Sequence, residues 1–88
     1  MFTVYVLFSQ NHRQIYIGYT SDLHNRFLSH NELAIKGHTL KYRPWVIAYT
    51  EEFVTKTEAI KREKQLKTAN GRKFIWDIIK EKYNGSDG

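Results

Sequence analysis

Glu63 is the side chain that most needs a chemical explanation in this sequence. On a helix it shares a stripe with Ala59, Ile60, Leu66 and Lys67, so its carboxylate sits half buried. An ionised group in that position costs several kcal/mol unless it is paired or binds a metal. Lys67 and Arg26 are the ordinary candidates for pairing, and on Glu63 alone a salt bridge ranks ahead of a metal. With no cysteine and no close pair of histidines, a Zn²⁺ site or a many-oxygen Ca²⁺ cage is a poor match. Mg²⁺ differs, because it keeps several waters and binds through one or two carboxylates together with substrate phosphate oxygens. A single glutamate therefore suffices where the substrate is a phosphate ester. Glu58, in the same segment, is already accounted for, since Thr55-Lys56-Thr57-Glu58 fits a capping box.

Tyr5, Tyr16 and Gly18 form a second group. Residues 2–9 alternate, with Phe2, Val4, Val6 and Phe8 on one side and Thr3, Tyr5, Leu7 and Ser9 on the other, which predicts a strand. After the turn formers Gln10-Asn11-His12-Arg13, Gln14–Tyr19 alternates again, so the two runs read as a β-hairpin. Parity puts Tyr5, Tyr16 and Gly18 on one face and Val4, Val6, Phe8, Ile15 and Ile17 on the other. Either phenol alone is an ordinary strand aromatic. Beside a strand glycine, whose missing side chain often marks the close approach of a ligand or another backbone, the pair becomes a candidate site. Arg26 and His30 lie four residues apart on a helix capped from Thr20-Ser21-Asp22 and project from one side of it. Singly, Arg26 reads as a solvated helix residue and His30 as a cation favoured by the helix dipole.

The elements that must position these groups follow from the same patterns. Leu23 and Phe27 anchor the first helix, which runs to about His30. Residues 31–44 lack periodicity, carry Gly37 and Pro44, and read as a surface loop exposing Lys36, His38, Lys41 and Arg43. Trp45–Thr50 reads as a third strand. The capping box starts a helix that is expected to reach about Ala69 and to stop at Asn70-Gly71. Phe74, Ile75, Ile78, Ile79 and Tyr83 recur at helical spacing, predicting a last amphipathic helix from Arg72, with Gly85-Ser86-Asp87-Gly88 as a frayed, disordered tail. The fold class is α+β, in the order β-β-α-β-α-α, with a three-stranded antiparallel sheet flanked by helices and a single domain over residues 1–84.

Bulk properties narrow the partner. A chain of 88 residues leaves little room for a second, target-choosing domain. Fourteen Lys and Arg against nine Asp and Glu give +5, which favours a polyanion such as nucleic acid. There is no cysteine and no apolar run of signal-peptide or membrane-span length, so a cytoplasmic setting without membrane attachment is expected. Nothing in the sequence calls for an obligate protein partner.

Taken in order, Tyr5, Tyr16-Ile17-Gly18, Thr20-Ser21-Asp22-Leu23, Arg26, His30 and Arg62-Glu63-Lys64-Gln65-Leu66-Lys67 resemble the motif series of the GIY-YIG nuclease family over nearly the whole chain. The resemblance is to small stand-alone bacterial members, and the chain is similar to the catalytic domains of the excision-repair nuclease subunit and of certain homing endonucleases. It implies that Tyr5 and Tyr16 are the active-site phenols and that Gly18 clears space for phosphate. It also implies that Arg26 faces the scissile phosphate, that His30 holds the position of a His or Tyr, and that Glu63 binds Mg²⁺ or Mn²⁺. Two positions depart from the family: Thr3-Val4 replaces Gly-Ile, and Tyr19 stands where some relatives have Lys, so help in lowering a phenol pKa must come from elsewhere. The family often carries an asparagine after the metal-ligand helix. Asn70 is nearest, but helix capping explains it equally well and it stays outside the core site.

The activity so implied is metal-dependent hydrolysis of DNA phosphodiester bonds, leaving a 3′-hydroxyl and a 5′-phosphate, in DNA repair or recombination. Tyr5 would take the proton of the attacking water, while Lys41, Arg43, Arg72 and Lys73 would contact phosphates. The main rival is a catalytically weak or silent nucleic-acid-binding module of the same fold. A second is a protein adaptor contacting its partner through an exposed Trp76.

Overall fold

A computed structural model describes residues 1–33 and 38–83 of the chain. Lys36, the proposed tail at residues 85–88 and the side chain of His38 lie outside what is described. The alternation in the first twenty residues forms the expected hairpin, β1 (Phe2–Ser9) and β2 (Gln14–Thr20), with Arg13 in a left-handed conformation at its turn (φ 54°). β3 (Val46–Phe53) pairs with the opposite edge of β1, giving an antiparallel sheet in the order β2-β1-β3.

Because β1 is central, both of its faces are buried. Val4, Val6 and Phe8 join Ile17 and Ala48 in one cluster, while Tyr5 and Leu7 join Trp45 in another. The register of β3 shifts between Val6 and Leu7, so that Tyr49 opposes Val6 but Ile47 opposes Leu7. A bulge of this kind inserts one residue on one strand, and it lets Ala48 face the first cluster.

Two helices cover the first face. α2 (Lys56–Leu66) begins at the predicted capping box: the Thr55 hydroxyl accepts from the Glu58 N–H at 3.2 Å, and the Glu58 carboxylate accepts from the Thr55 N–H at 3.3 Å. α2 ends at Leu66, not at Ala69. Asn70 and Gly71, expected to stop it, lie instead in the first turn of α3 (Ala69–Tyr83). The Thr68 hydroxyl bridges the break, accepting from the Gly71 N–H at 3.2 Å and donating to the Gln65 carbonyl at 2.7 Å. Gly71 serves packing: a Cβ there would fall 2.3 Å from the Gln65 carbonyl oxygen and 2.5 Å from the Leu66 Cα. Those neighbours are backbone and cannot swing aside. Gly71→Ala is therefore expected to destabilise the fold by about 2 kcal/mol or more, on the order of 10 °C in Tm for a domain this small. A thermal melt at the wild-type midpoint would show the position indifferent and remove this account.

α3 buries Ile75 and Ile79 between α2 and the sheet, while Phe74 stays 41% exposed although it belongs to the predicted stripe. Trp76 corrects a second expectation. It is partly buried and meets the Phe8 ring edge-on at 5.8 Å, so it is a core residue and the adaptor reading loses its contact.

On the second face, α1 (Leu23–Leu28) is capped by Asp22, whose carboxylate accepts from the Asn25 N–H at 3.3 Å, and it packs through Leu23 and Phe27. A π turn follows over Ser29–Leu33, then a 3₁₀ turn over His38–Tyr42. The described part of this stretch is not a free surface loop. The Asn31 amide donates to the Trp45 carbonyl at 2.9 Å and accepts from the Trp45 N–H at 2.6 Å, as a neighbouring strand would. The Trp45 indole N–H donates to the Thr39 carbonyl at 2.9 Å. Trp45 thus precedes β3 and anchors the stretch. Arg43, expected to be exposed, is half buried and donates to the carbonyls of His30 at 2.6 Å and Ser29 at 3.1 Å. Lys41 is exposed as expected. Among the described residues no helix is long and apolar enough to cross a membrane.

Candidate active site

Tyr5 stands at the centre of β1 directly opposite Gly18 of β2. The ring is 1% exposed and stacks on Tyr16, with centroids 6.2 Å apart. A Cβ on residue 18 would fall 2.7 Å from the Tyr5 hydroxyl oxygen, 2.9 Å from its Cζ and 3.1 Å from a Tyr16 ring carbon. The glycine is required because the phenol itself fills the place of the missing side chain. Close approach was legible in the sequence, but the group that approaches is Tyr5.

Tyr5, Tyr16, Gly18, Tyr19, Thr20, Arg26 and Glu63 line one cleft of about 350 Å³. Tyr5 and Tyr16 belong to the second face of the sheet and Tyr19 packs with the first, so the cleft wraps the free edge of β2. Arg26 reaches it from α1 on one side. Glu63 reaches it from α2 on the other.

His30 is set behind Tyr5 and does not line the cleft. It is 6% exposed, and its Nε2 lies 3.0 Å from the Tyr5 hydroxyl while its Nδ1 lies 3.1 Å from Oγ1 of Thr39. Tyr16 packs on the imidazole at 4.5 Å. Burial lowers the His30 pKa, and the positive charges of Arg26 and Arg43 lower it further, so the ring is neutral near pH 7. The reading of His30 as a helix-terminal cation is thereby corrected.

Burial pushes the Tyr5 phenol up to about 12, against a smaller lowering by its hydrogen bond to Arg26. The phenol in turn raises the Arg26 pKa, so the guanidinium is a fixed positive charge in the cleft beside it. Tyr5 is thus a protonated phenol in the resting protein. Its oxygen lies within hydrogen-bond distance of the neutral His30 ring, at Nε2.

The Glu63 side chain is 16% exposed, and the Lys67 ammonium lies 3.6 Å away, one turn along the helix and half exposed. The sequence's bland reading is therefore present, but the contact is long and leaves carboxylate capacity open towards the cleft. Among the described residues no three His, Asp or Glu side chains cluster as a metal cage. The donor set fits a cation that takes one protein carboxylate and completes its shell with water and phosphate oxygens, as Mg²⁺ does.

Of the candidate residues, the structure brings together Tyr5, Tyr16, Gly18, Arg26 and Glu63 around the cleft, with His30 behind them. Lys41, Arg43, Arg72 and Lys73 are not among its lining residues. Arg43 is turned to backbone carbonyls, and Lys73 pairs with Asp77 at 3.3 Å along α3. Sequence reasoning missed Thr20 and Thr39. Thr20 was visible only as a helix-capping residue, and it does accept from the Asp22 N–H at 3.0 Å. Thr39 lies in an aperiodic stretch that carried no signal.

An α+β sheet whose edge gathers two phenols, a guanidinium and a carboxylate around a glycine forms a polar cleft with a fixed positive charge, which suits an anionic substrate. The family model described as the GIY-YIG catalytic domain matches residues 1–84, and the chain belongs to this nuclease-type family, whose substrates are nucleic acids. It is 39% identical over 61 residues to a UPF0213 protein of Staphylococcus saprophyticus, covering 69% of this chain and 74% of that one. A UPF0213 protein of Staphylococcus aureus is 37% identical over 68 residues, covering 77% and 82%. Both relatives are small proteins, as expected for a stand-alone member.

Proposed function

We propose that the chain is a divalent-metal-dependent endonuclease that hydrolyses DNA phosphodiester bonds to a 3′-hydroxyl and a 5′-phosphate, acting in the cytoplasm in repair or recombination. One observation carries this reading: Tyr5, Tyr16, Arg26 and Glu63 converge on one cleft although they come from four different elements.

In this mechanism a water attacks phosphorus in line with the departing 3′ oxygen, which leaves with the P–O bond pair and takes a proton from solvent to become the 3′-hydroxyl. The water's proton passes to the Tyr5 oxygen as Tyr5 passes its own to Nε2 of His30, so the phenol relays a proton and never accumulates as phenolate. Burial holds the imidazole neutral first, and the charges of Arg26 and Arg43 add to it. An incoming phosphate offsets that added positive field and so eases proton uptake at that moment. Arg26 meets charge developing on the non-bridging oxygens, for which a guanidinium fork is well suited. The chemistry a divalent metal supplies when held by Glu63 is neutralisation of the charge on the 3′ oxygen as the P–O bond breaks.

A panel of end-labelled single-stranded, duplex, splayed and branched DNAs, with and without Mg²⁺ or Mn²⁺, tests the proposal. Cleavage that needs the metal and leaves 5′-phosphate ends is the expected result. Binding should also weaken with salt: about three phosphate contacts from exposed cations such as Lys41, Arg72 and Lys73 predict a loss of roughly 40-fold between about 50 and 200 mM. The raised pKa of Tyr5 favours a second reading, a silent nucleic-acid-binding module. Salt-sensitive binding to every DNA without cleavage of any, under either metal, would select it.

Gly18→Ala is a sharper probe of the site. The new methyl collides with the Tyr5 hydroxyl, and displacement of the phenol is expected to lower the cleavage rate on the order of 10²-fold. An unchanged rate would mean that the position of Tyr5 does not matter.

A further inference from the structure

We infer that Thr39 is a positioning residue for the proton relay: its hydroxyl fixes His30 in the tautomer whose bare Nε2 faces Tyr5. The inference rests on the phosphodiesterase reading for its catalytic consequence, but its structural content stands apart from it.

The partners assign the proton. Arg26, whose positive charge lies near the Tyr5 phenol, can only donate and so offers the phenol hydrogen no acceptor. Tyr5 is itself protonated and fully buried, and its hydroxyl hydrogen needs an acceptor. His30 Nε2, at 3.0 Å, provides one only if it carries no hydrogen. A neutral imidazole must then carry its hydrogen on Nδ1, which points at the Thr39 oxygen 3.1 Å away. The second nitrogen's partner sets the tautomer, as in other functional histidines.

Around the ring, Tyr5 and Tyr16 approach from the sheet, Arg26 from α1, and Thr39 and Arg43 from residues 38–43. Neither guanidinium can accept a hydrogen bond, which leaves Thr39, among the described residues, as the acceptor placed at Nδ1. Thr39 is itself held: it is 8% exposed, and its carbonyl accepts from the Trp45 indole. The segment that lacked periodicity in the sequence therefore carries a specific function, orienting His30 from behind. The opposite tautomer would turn an N–H towards Tyr5, leave the phenol's proton without its acceptor and close the relay.

Thr39→Val keeps shape and removes the hydroxyl, while Thr39→Ser keeps the hydroxyl and removes a methyl. Long-range ¹H–¹⁵N correlation of the His30 ring, near neutral pH and without DNA or metal, should show the wild type protonated at Nδ1. Thr39→Val should shift it towards the Nε2-protonated form, and Thr39→Ser should restore the wild-type pattern. On the DNA that the wild type cuts fastest, single-turnover cleavage by Thr39→Val should fall on the order of 10- to 100-fold, the size of effect known for partners that orient metal-ligating histidines. Its Kd for that DNA should stay unchanged, and the serine variant should recover the rate. A wild-type ring protonated at Nε2, or a valine variant with an unmoved tautomer, overturns the inference. So does a shifted tautomer with an unchanged rate. If the valine variant does not fold, the wild-type and serine spectra still decide which nitrogen carries the proton. A wild type that cuts nothing would sink the endonuclease reading, and the ring spectra would still decide the part of Thr39.

Discussion

Tyr5→Phe is expected to reduce DNA cleavage by on the order of 10²- to 10⁴-fold, the range for losing a positioned proton-transfer group, while the fold and DNA binding persist. The ring and its stacking on Tyr16 remain, so the second core cluster keeps its volume. What disappears is one oxygen that lies near the Arg26 charge and 3.0 Å from Nε2 of His30. Arg26 is exposed and regains water, but the buried imidazole loses a partner, a cost of about 1–2 kcal/mol. A melt showing only this modest loss, beside a cleavage rate near background, is the expected pair of results. Cleavage at the wild-type rate would end Tyr5's role in proton transfer.

The same substitution has an alkaline signature. The folded Tyr5 pKa of about 12 lies above the ordinary value of 10, so below pH 10 both folded and unfolded chains hold the proton. Between 10 and 12 the unfolded chain releases it first, and Tyr5 contributes a loss of stability as pH rises. Phenylalanine has no proton to lose. The wild-type and Tyr5→Phe stability curves should therefore converge above pH 10, and parallel curves there would show that the phenol is not held up by its burial.

How far the sequence could be read depended on whether a residue's role was local. Hairpin parity correctly placed Tyr5, Tyr16 and Gly18 on one face, because period-2 alternation needs no knowledge of the partner. The capping box at Thr55 and Glu58 was legible for the same reason. Gly71 was misread because a glycine that ends a helix and one that admits a neighbouring backbone look alike in one dimension. Only the approach of Gln65 and Leu66 separates them. Trp76 fell off the apolar stripe, yet it packs because β1 brings Phe8 beneath that side of α3.

The stretch from Ser29 to Trp45 resisted reading most. The order of its described part comes from tertiary bonds: Asn31 imitates a strand partner for Trp45, Arg43 holds two carbonyls of the π turn, and Thr39 meets His30. None of these leaves a periodicity. The family resemblance named His30 but gave no account of what lies behind it. The Tyr5 pKa was equally out of reach, since sequence identifies a phenol while burial decides its proton.

Glu63→Gln and Glu58→Gln, two substitutions on one helix, are expected to separate completely. Glu58 works at the helix start, where its carboxylate accepts from Thr55, and an amide oxygen can accept the same bond. Glu58→Gln should therefore cleave at the wild-type rate with a melt near that of the wild type. Glu63 lines the cleft, and its glutamine keeps the shape but removes the anionic oxygen that Mg²⁺ requires. Cleavage should collapse to background. Metal-free stability should barely change, because the only ion pair lost among the described residues is the long, half-exposed contact with Lys67, worth about 0.3–0.5 kcal/mol in such helix pairs. Removing a half-buried charge works against that small loss. Metal binding then supplies a readout independent of cleavage. A ligand that binds only the folded chain raises Tm, so Mn²⁺ or Mg²⁺ should stabilise the wild type and Glu58→Gln but not Glu63→Gln. If Glu63→Gln still cuts DNA and Glu58→Gln is inactive, the metal ligand belongs one and a half turns earlier on α2, and the motif has been read in the wrong register.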